Sequence, residues 1–137
     1  MINFITETDF LLESPTLYKK WIRGIIFSEC FQEGELSFLF CDDQYLHKLN
    51  LEFLNHDTLT DILTFDYSLG KELSGDICIS IDRVQENAKS LGLSFSTEIA
   101  RVLAHGVLHL CGHEDTYQHE KLKMRSLEDH YLSRLFS

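Results

Sequence analysis

The sequence predicts an α+β domain, a small sheet covered by helices, with residues 1–137 as one unit. Three observations lead there. Short apolar runs alternate with period two, as in strands. Longer segments place apolar residues at helical spacing. No repeat, low-complexity tract or linker divides the chain.

Taken in order, Ile2 to Ile5 reads as a first short strand. Ser14-Pro15 opens a helix, with serine as cap and proline in the first turn. Its inward positions are Leu17, Trp21, Ile22, Ile25 and Ile26, and Gly34 closes the region. Leu36, Phe38 and Phe40 alternate with Ser37, Leu39 and Cys41, a strand apolar enough to be buried on both faces. Asp42 caps a helix running towards Phe53, and Asn55-His56-Asp57 reads as a turn. Thr60 to Phe65 is the next strand, Gly70 to Gly75 a loop, and Asp76 to Ile81 a strand with Ile77, Ile79 and Ile81 on one face. Asp82 caps a helix through about Ser90, stopped by Gly92. Ser96 opens a longer helix, with Glu98 in its first turn. Ile99, Leu103, Val107 and Leu110 form its stripe, and Ala100, Ala104 and Leu108 widen it, so this helix should be largely buried. Gly112 ends it. A last helix runs from about Gln118 to Leu135, with Leu122, Leu127, Tyr131 and Leu135 facing in.

Composition narrows the classes. A chain of 137 residues should bury about two-thirds of its unfolded surface. With 44% hydrophobic residues, 25% charged and one proline, it belongs with neither disordered nor collagen-like proteins. No apolar run approaches the ~20 residues that span a bilayer, so no membrane role is expected. The start, MINFITETDF, lacks a basic n-region, so no signal peptide is expected. Twelve basic residues against 22 acidic give a net charge of −10. That disfavours a broadly basic nucleic-acid surface but leaves room for a local basic cleft. Cysteines 30, 41, 78 and 111 form no CxxC pair, which argues against a zinc knuckle or a disulfide framework. Cys41, Cys78 and Cys111 read as small buried hydrophobes, and a reducing cytoplasm is the expected home.

The chemically informative stretch is His105-Gly106-Val107-Leu108-His109-Leu110-Cys111-Gly112-His113-Glu114-Asp115. His105 and His109, four apart on a helix, lie one above the other on one face and can reach one metal ion. A lone pair of this spacing is most often structural. Here the buried helix, the immediate glycine stop and two further donors, His113 and Asp115, favour a metal. Catalytic zinc takes three protein ligands and keeps one position for water, whose pKa it lowers. Zincin peptidases place a glutamate beside the first histidine as general base. Gly106 stands there, so peptidase chemistry is not expected, and a neighbouring strand or substrate backbone can approach closely.

The segment His105 to Gly112, HGVLHLCG, resembles the signature of the YbeY family of endoribonucleases, or rRNA maturation factors. Thr60 to Phe65, TDILTF, resembles the family's TDVLSF, and Gly75 to Ser80, GDICIS, its GDIxIS strand. The three occur in family order, and Asn50 stands where the family has an asparagine. The resemblance is close from Phe38 to Met124 and extends more loosely over the whole chain. It implies a mostly parallel four-stranded sheet packed with about five helices, including a zincin-like metal helix. It implies one Zn2+ per chain and cleavage of single-stranded RNA. It further implies roles in 16S rRNA 3′-end maturation and ribosome quality control, in the cytoplasm with the small ribosomal subunit or its factors.

The family's third ligand, a histidine ten residues after the first, corresponds to Asp115, and its tyrosine position holds His113. The expected ligand set is therefore His105, His109 and Asp115, the residues through which catalysis would run. Aspartate also binds zinc but makes the bound water less acidic than a third imidazole would. The resemblance also places Leu54 where the family has an arginine, and Leu59 where it has a proline. Loss of that guanidinium motivates a second reading: a metal-stabilised, ribosome-associated processing factor with little or no nuclease activity of its own. Asp76 is a candidate second carboxylate orienting a ligand histidine, or a local backbone cap. Arg101 reads mainly as a surface ion pair, Lys121, Lys123 and Arg125 as a solvated basic face, and His119 and His130 as surface residues, while His47 and His56 carry no signal alone.

Overall fold

The computed structural model describes residues 1–54 and 60–136. In chain order it contains β1 (Ile2–Thr6), α1 (Pro15–Ser28), β2 (Gln32–Cys41), α2 (Asp43–Leu54), β3 (Ile62–Asp66), β4 (Glu72–Ser80), α3 (Ile81–Leu91), α4 (Phe95–Leu110) and α5 (Gln118–Leu135). The strands form a mixed four-stranded sheet in the order β1-β2-β4-β3. β1 and β4 run parallel to β2, and β3 pairs antiparallel with β4. The expected α+β architecture and mostly parallel sheet are both present.

Register follows the apolar alternation. Phe38 stands opposite Phe4 on one side and Ile77 on the other, and Phe40 opposite Ile79. Leu36, Phe38, Phe40, Ile77 and Ile79 are buried with Ile22, Ile25 and Ile26 of α1 and Ile99, Leu103 and Val107 of α4. Under α2 a smaller cluster joins Cys41, Leu46, Leu63 and Cys78. Both sheet faces are therefore covered, as the strand composition anticipated. Each fully buried Leu, Ile, Val or Phe contributes roughly 1.5–3 kcal/mol relative to exposure.

One contact fixes where α4 sits. A Cβ on Gly106 would lie 2.9 Å from Ile77 Cγ2 and 3.0 Å from Ile62 Cδ1. The glycine lets the helix approach β3 and β4 at a distance a side chain would forbid. The close approach left open in the sequence is thus to the strands.

Several boundaries differ from the expectation, each for a tertiary reason. β4 begins at Glu72, because Glu72 and Leu73 pair with Gln32 and Glu33 of β2 as the chain leaves a turn at Gly70, whose φ is +59°. β4 stops at Ser80, whose hydroxyl accepts from Arg83 N at 3.2 Å and caps α3 in place of Asp82. Ile81 accordingly lies in α3. Ser94, not Ser96, caps α4 through Thr97 N at 3.1 Å. Gly34 lies inside β2, where it sits against the Leu73 carbonyl. Ser14 precedes α1 with φ +53° and makes no side-chain cap bond. Leu17 and Leu122 face solvent, while Tyr18 and Met124 point inward. The Asn55-His56-Asp57 turn lies outside the described residues. Among the described residues no helix is long and apolar enough to cross a membrane.

Ser80 also donates to Asp43 Oδ1 at 2.6 Å, and Arg83 Nε bonds the same carboxylate at 3.0 Å, tying α2 to α3. Ser80→Ala should therefore lower unfolding free energy by about 1–2 kcal/mol in denaturant titrations.

Candidate metal centre

α4 is buried along most of its length, and His105 and His109 emerge on its remaining face. The helix ends in a Schellman turn. Gly112 N donates to His109 O and His113 N to Leu108 O, both at 3.0 Å, with Gly112 at φ +98°. This reversal returns the chain over the histidines. His105 Nε2 and His109 Nε2 lie 2.8 Å apart, and Asp115 Oδ2 is 3.3 Å from the first and 3.6 Å from the second. A tetrahedral zinc with bonds of 2.0–2.1 Å sets its donors about 3.3 Å apart. The two histidine–aspartate separations suit such an ion, and the histidine nitrogens stand closer together than its tetrahedral edge.

The outer partners agree with this. His105 Nδ1 contacts Glu128 Oε2 at 2.7 Å, and His109 Nδ1 contacts the His113 carbonyl at 2.9 Å. Each Nδ1 donates to its acceptor, so the neutral rings turn their Nε2 lone pairs towards each other. Two lone pairs and a carboxylate oxygen at these distances call for a shared cation, a metal ion or a proton. The proton affinities reflect that. Burial disfavours the charged form of His105, but the Glu128 hydrogen bond and charge outweigh it and raise its pKa above the ordinary value. Burial and the charge of His105 lower the pKa of His109.

The side chain of His113 leaves the cluster. Its Nε2 lies 2.6 Å from Glu29 Oε1, while Tyr131 donates to Glu29 Oε2. His113 thus meets the histidine pair through its carbonyl. Asp76 does not orient a cluster histidine; it stands opposite Phe65 on β4 and interacts with the Tyr67 hydroxyl. The orienting carboxylate is Glu128 of α5. Its sequence signal was an acid on the inward face of α5, between the buried Met124 and Tyr131. Arg101 forms ion pairs as expected, with the exposed Asp129 at 2.9 Å but also with the buried Glu128 at 3.1 Å. His119 stacks on Tyr117, and Phe65 packs on Phe53.

A polar cleft of about 360 Å³ opens beside the cluster, lined by His105, Asp115, Asp61, Arg101, Lys121 and Arg125 among others. Burial raises the Asp61 pKa although the charge of His105 opposes it, and Asn87 donates to its Oδ2 at 3.3 Å. Sequence reasoning passed over Asp61, because only the folded sheet brings the start of β3 to α4.

Fold and site together define a class: an α+β protein whose central helix offers a His-His-carboxylate donor set to a polar cleft. The chain belongs to the endoribonuclease YbeY family. The family's profile matches residues 5–136. Endoribonuclease YbeY of Flavobacterium johnsoniae is 53% identical over 129 residues, covering 94% of this chain and 93% of that protein. The Christiangramia forsetii protein of the same name is 52% identical over 128 residues, covering 93% and 90%. The solution structure of TM1509 from Thermotoga maritima shares the fold, with a TM-score of 0.70 and 24% identity over 99% of this chain and 89% of that one. Membership in the family supports endoribonuclease activity.

These contacts give testable outcomes by metal titration against a chelating dye. Asp115→Ala should weaken zinc binding by orders of magnitude, His113→Ala only modestly, and Asp115→His should retain the metal. Glu128→Gln should cost about 10–100-fold in affinity by loosening His105. Because metal uptake displaces the His105 proton, held above the ordinary value of 6.5, affinity should begin to fall above pH 6.5 as the solution is acidified. A second outcome concerns Gly106. Gly106→Glu should confer no peptidase activity and should destabilise the fold by more than ~3 kcal/mol, since that position faces Ile77 and Ile62.

Proposed function

We propose that this chain is a zinc-dependent, single-strand-specific endoribonuclease acting in 16S rRNA 3′-end maturation and ribosome quality control. Its setting would be the cytoplasm, with the small ribosomal subunit or its factors as partner. The observation that carries the reading is the convergence of His105 Nε2, His109 Nε2 and Asp115 Oδ2 at the edge of the cleft. Family membership supplies the RNA substrate class.

His105, His109 and Asp115 would hold the ion, one per chain. Bound there, zinc supplies Lewis-acid polarisation of a phosphoryl oxygen and a more acidic water. Glu128 and the His113 carbonyl fix the tautomer and direction of the two rings, so that little reorganisation accompanies binding. Asp115 brings a negative charge that moderates the Lewis acidity relative to three neutral imidazoles. Asp61 offers the cleft a carboxylate with raised proton affinity, suited to accept a proton as water attacks. Gly106 contributes no base; its position faces the sheet.

A second reading has support of its own. The centre joins α4, the turn after it and α5 through His105, Asp115 and Glu128. A metal there would also fasten these elements, as in a processing factor with feeble intrinsic cleavage. The net charge of −10 and Leu54 favour that version.

End-labelled single-stranded RNA, cut by identically prepared wild type, His109→Ala and Leu54→Arg, distinguishes the two. Slow, chelator-sensitive cutting by wild type, none by His109→Ala and faster cutting by Leu54→Arg are expected. Equal cutting by wild type and His109→Ala would mean contamination. No cutting by wild type, even with ribosomal particles, would favour the processing factor.

A further inference from the structure

The chain has twelve lysines and arginines for 22 acids, so where its cations stand decides where a polyanion can bind. Arg23 pairs with Glu33, Lys48 with Glu52 and Arg83 with Asp43. Lys71 lies over Phe31, and Arg134 reaches Ser28. Arg101 lines the cleft but is bonded to Glu128 and Asp129. Lys121 and Arg125 differ from these. Both line the cleft with His105 and Asp115, both are exposed, and neither forms an ion pair within 4.0 Å among the described residues. They are four apart on α5, on one face, with Cβ atoms roughly 6 Å apart.

We propose that Lys121 and Arg125 form a phosphate-binding wall that seats the backbone of single-stranded RNA beside the His105, His109 and Asp115 centre. The inference deepens the nuclease reading and rests on it for the substrate class. The acids of the cleft are engaged or turned inward. Glu98 and Glu128 are buried, Glu128 is held by Arg101 and His105, Asp61 accepts from Asn87, and the partly exposed Asp115 turns its Oδ2 to His105 and His109. An approaching phosphate therefore meets the two exposed cations first. Arginine offers a planar fork to phosphate oxygens and lysine a mobile point charge, a pairing suited to adjacent phosphates. The buried Met124, Glu128, Tyr131 and Leu132 anchor the adjoining face of α5, so the two cations ride on a settled helix at the rim of the cleft.

Anisotropy of a labelled short oligouridine, titrated with zinc-loaded protein over a range of salt, tests this. Zinc content, thermal unfolding and cleavage are followed on the same preparations. The Lys121→Ala/Arg125→Ala double variant should keep its zinc and its unfolding temperature. It should bind roughly tenfold more weakly, and its slope of log affinity against log salt should be shallower by about 1.4, ~0.7 for each lost contact. Arg125→Lys should keep most of the binding. Lys123→Ala, on the same helix but outside the cleft, should match wild type. Equal affinity and slope for wild type and the double variant would overturn the inference, as would an equal loss from Lys123→Ala or no binding by wild type. Wild type that cuts RNA while the double variant binds unchanged removes the phosphate wall alone. Wild type that binds with the expected dependence but never cuts removes the nuclease reading alone.

Discussion

The seating of α4 against β3 and β4 is the constraint on which the rest of the molecule depends. Gly106 brings the helix to the sheet at a distance that Ile77 and Ile62 would deny to any side chain. Leu103, Ala104, Val107 and Leu108 are then fully enclosed. A helix buried over this much of its circumference has one narrow exit face, and His105 and His109 occupy it. The same packing that stabilises the core therefore aims two imidazoles, with little freedom to wander.

The charges around that face are bound together more tightly than an acidic surface would suggest. Glu128 is buried yet bonded both to His105 and to Arg101. Buried charges are costly unless partnered, and loss of one partner leaves the other stranded. Arg101 and Glu98 face each other at 3.9 Å, beyond hydrogen-bond length, so that pair contributes mainly through Coulomb attraction. Burial raises the pKa of Glu98 although the charge of Arg101 opposes it. On the other side, Glu29 gathers His113 and Tyr131, linking the end of α1 to the turn after α4 and to α5. The donor loop is held from both flanks by carboxylates that touch no candidate ligand atom of Asp115.

An acidic chain in an endoribonuclease family poses an electrostatic problem that composition alone leaves open. The answer is local. Three of the twelve basic residues line the cleft beside the donor cluster, and Arg101 is drawn into a buried network, which leaves Lys121 and Arg125 facing solvent. Net charge governs long-range encounter, while a cleft of low dielectric answers to the few charges on its walls.

The sequence by itself determined the periodicities and the spacing. Phe38 and Phe40, Ile77 and Ile79, and the α4 stripe were legible because period two and period 3.6 are properties of adjacent residues. His105, His109 and the Gly112 stop were legible for the same reason: they lie within one turn-rich stretch of chain. Strand β4 was foreshortened, because its first residues, Glu72 and Leu73, are strand through pairing with the distant Gln32 and Glu33 of β2. The helix caps at Ser80 and Ser94 were each displaced by two residues, since several candidate caps stood side by side and packing chose among them. Glu128 lies 23 residues from His105 and Asp61 lies 44 before it, separations over which no local pattern reports contact. Their place beside the histidines, the departure of His113 towards Glu29 and the arrival of Lys121 and Arg125 at the cleft were decided only when β3, α1 and α5 docked on α4. Burial and ion pairing between distant segments are properties of the folded chain.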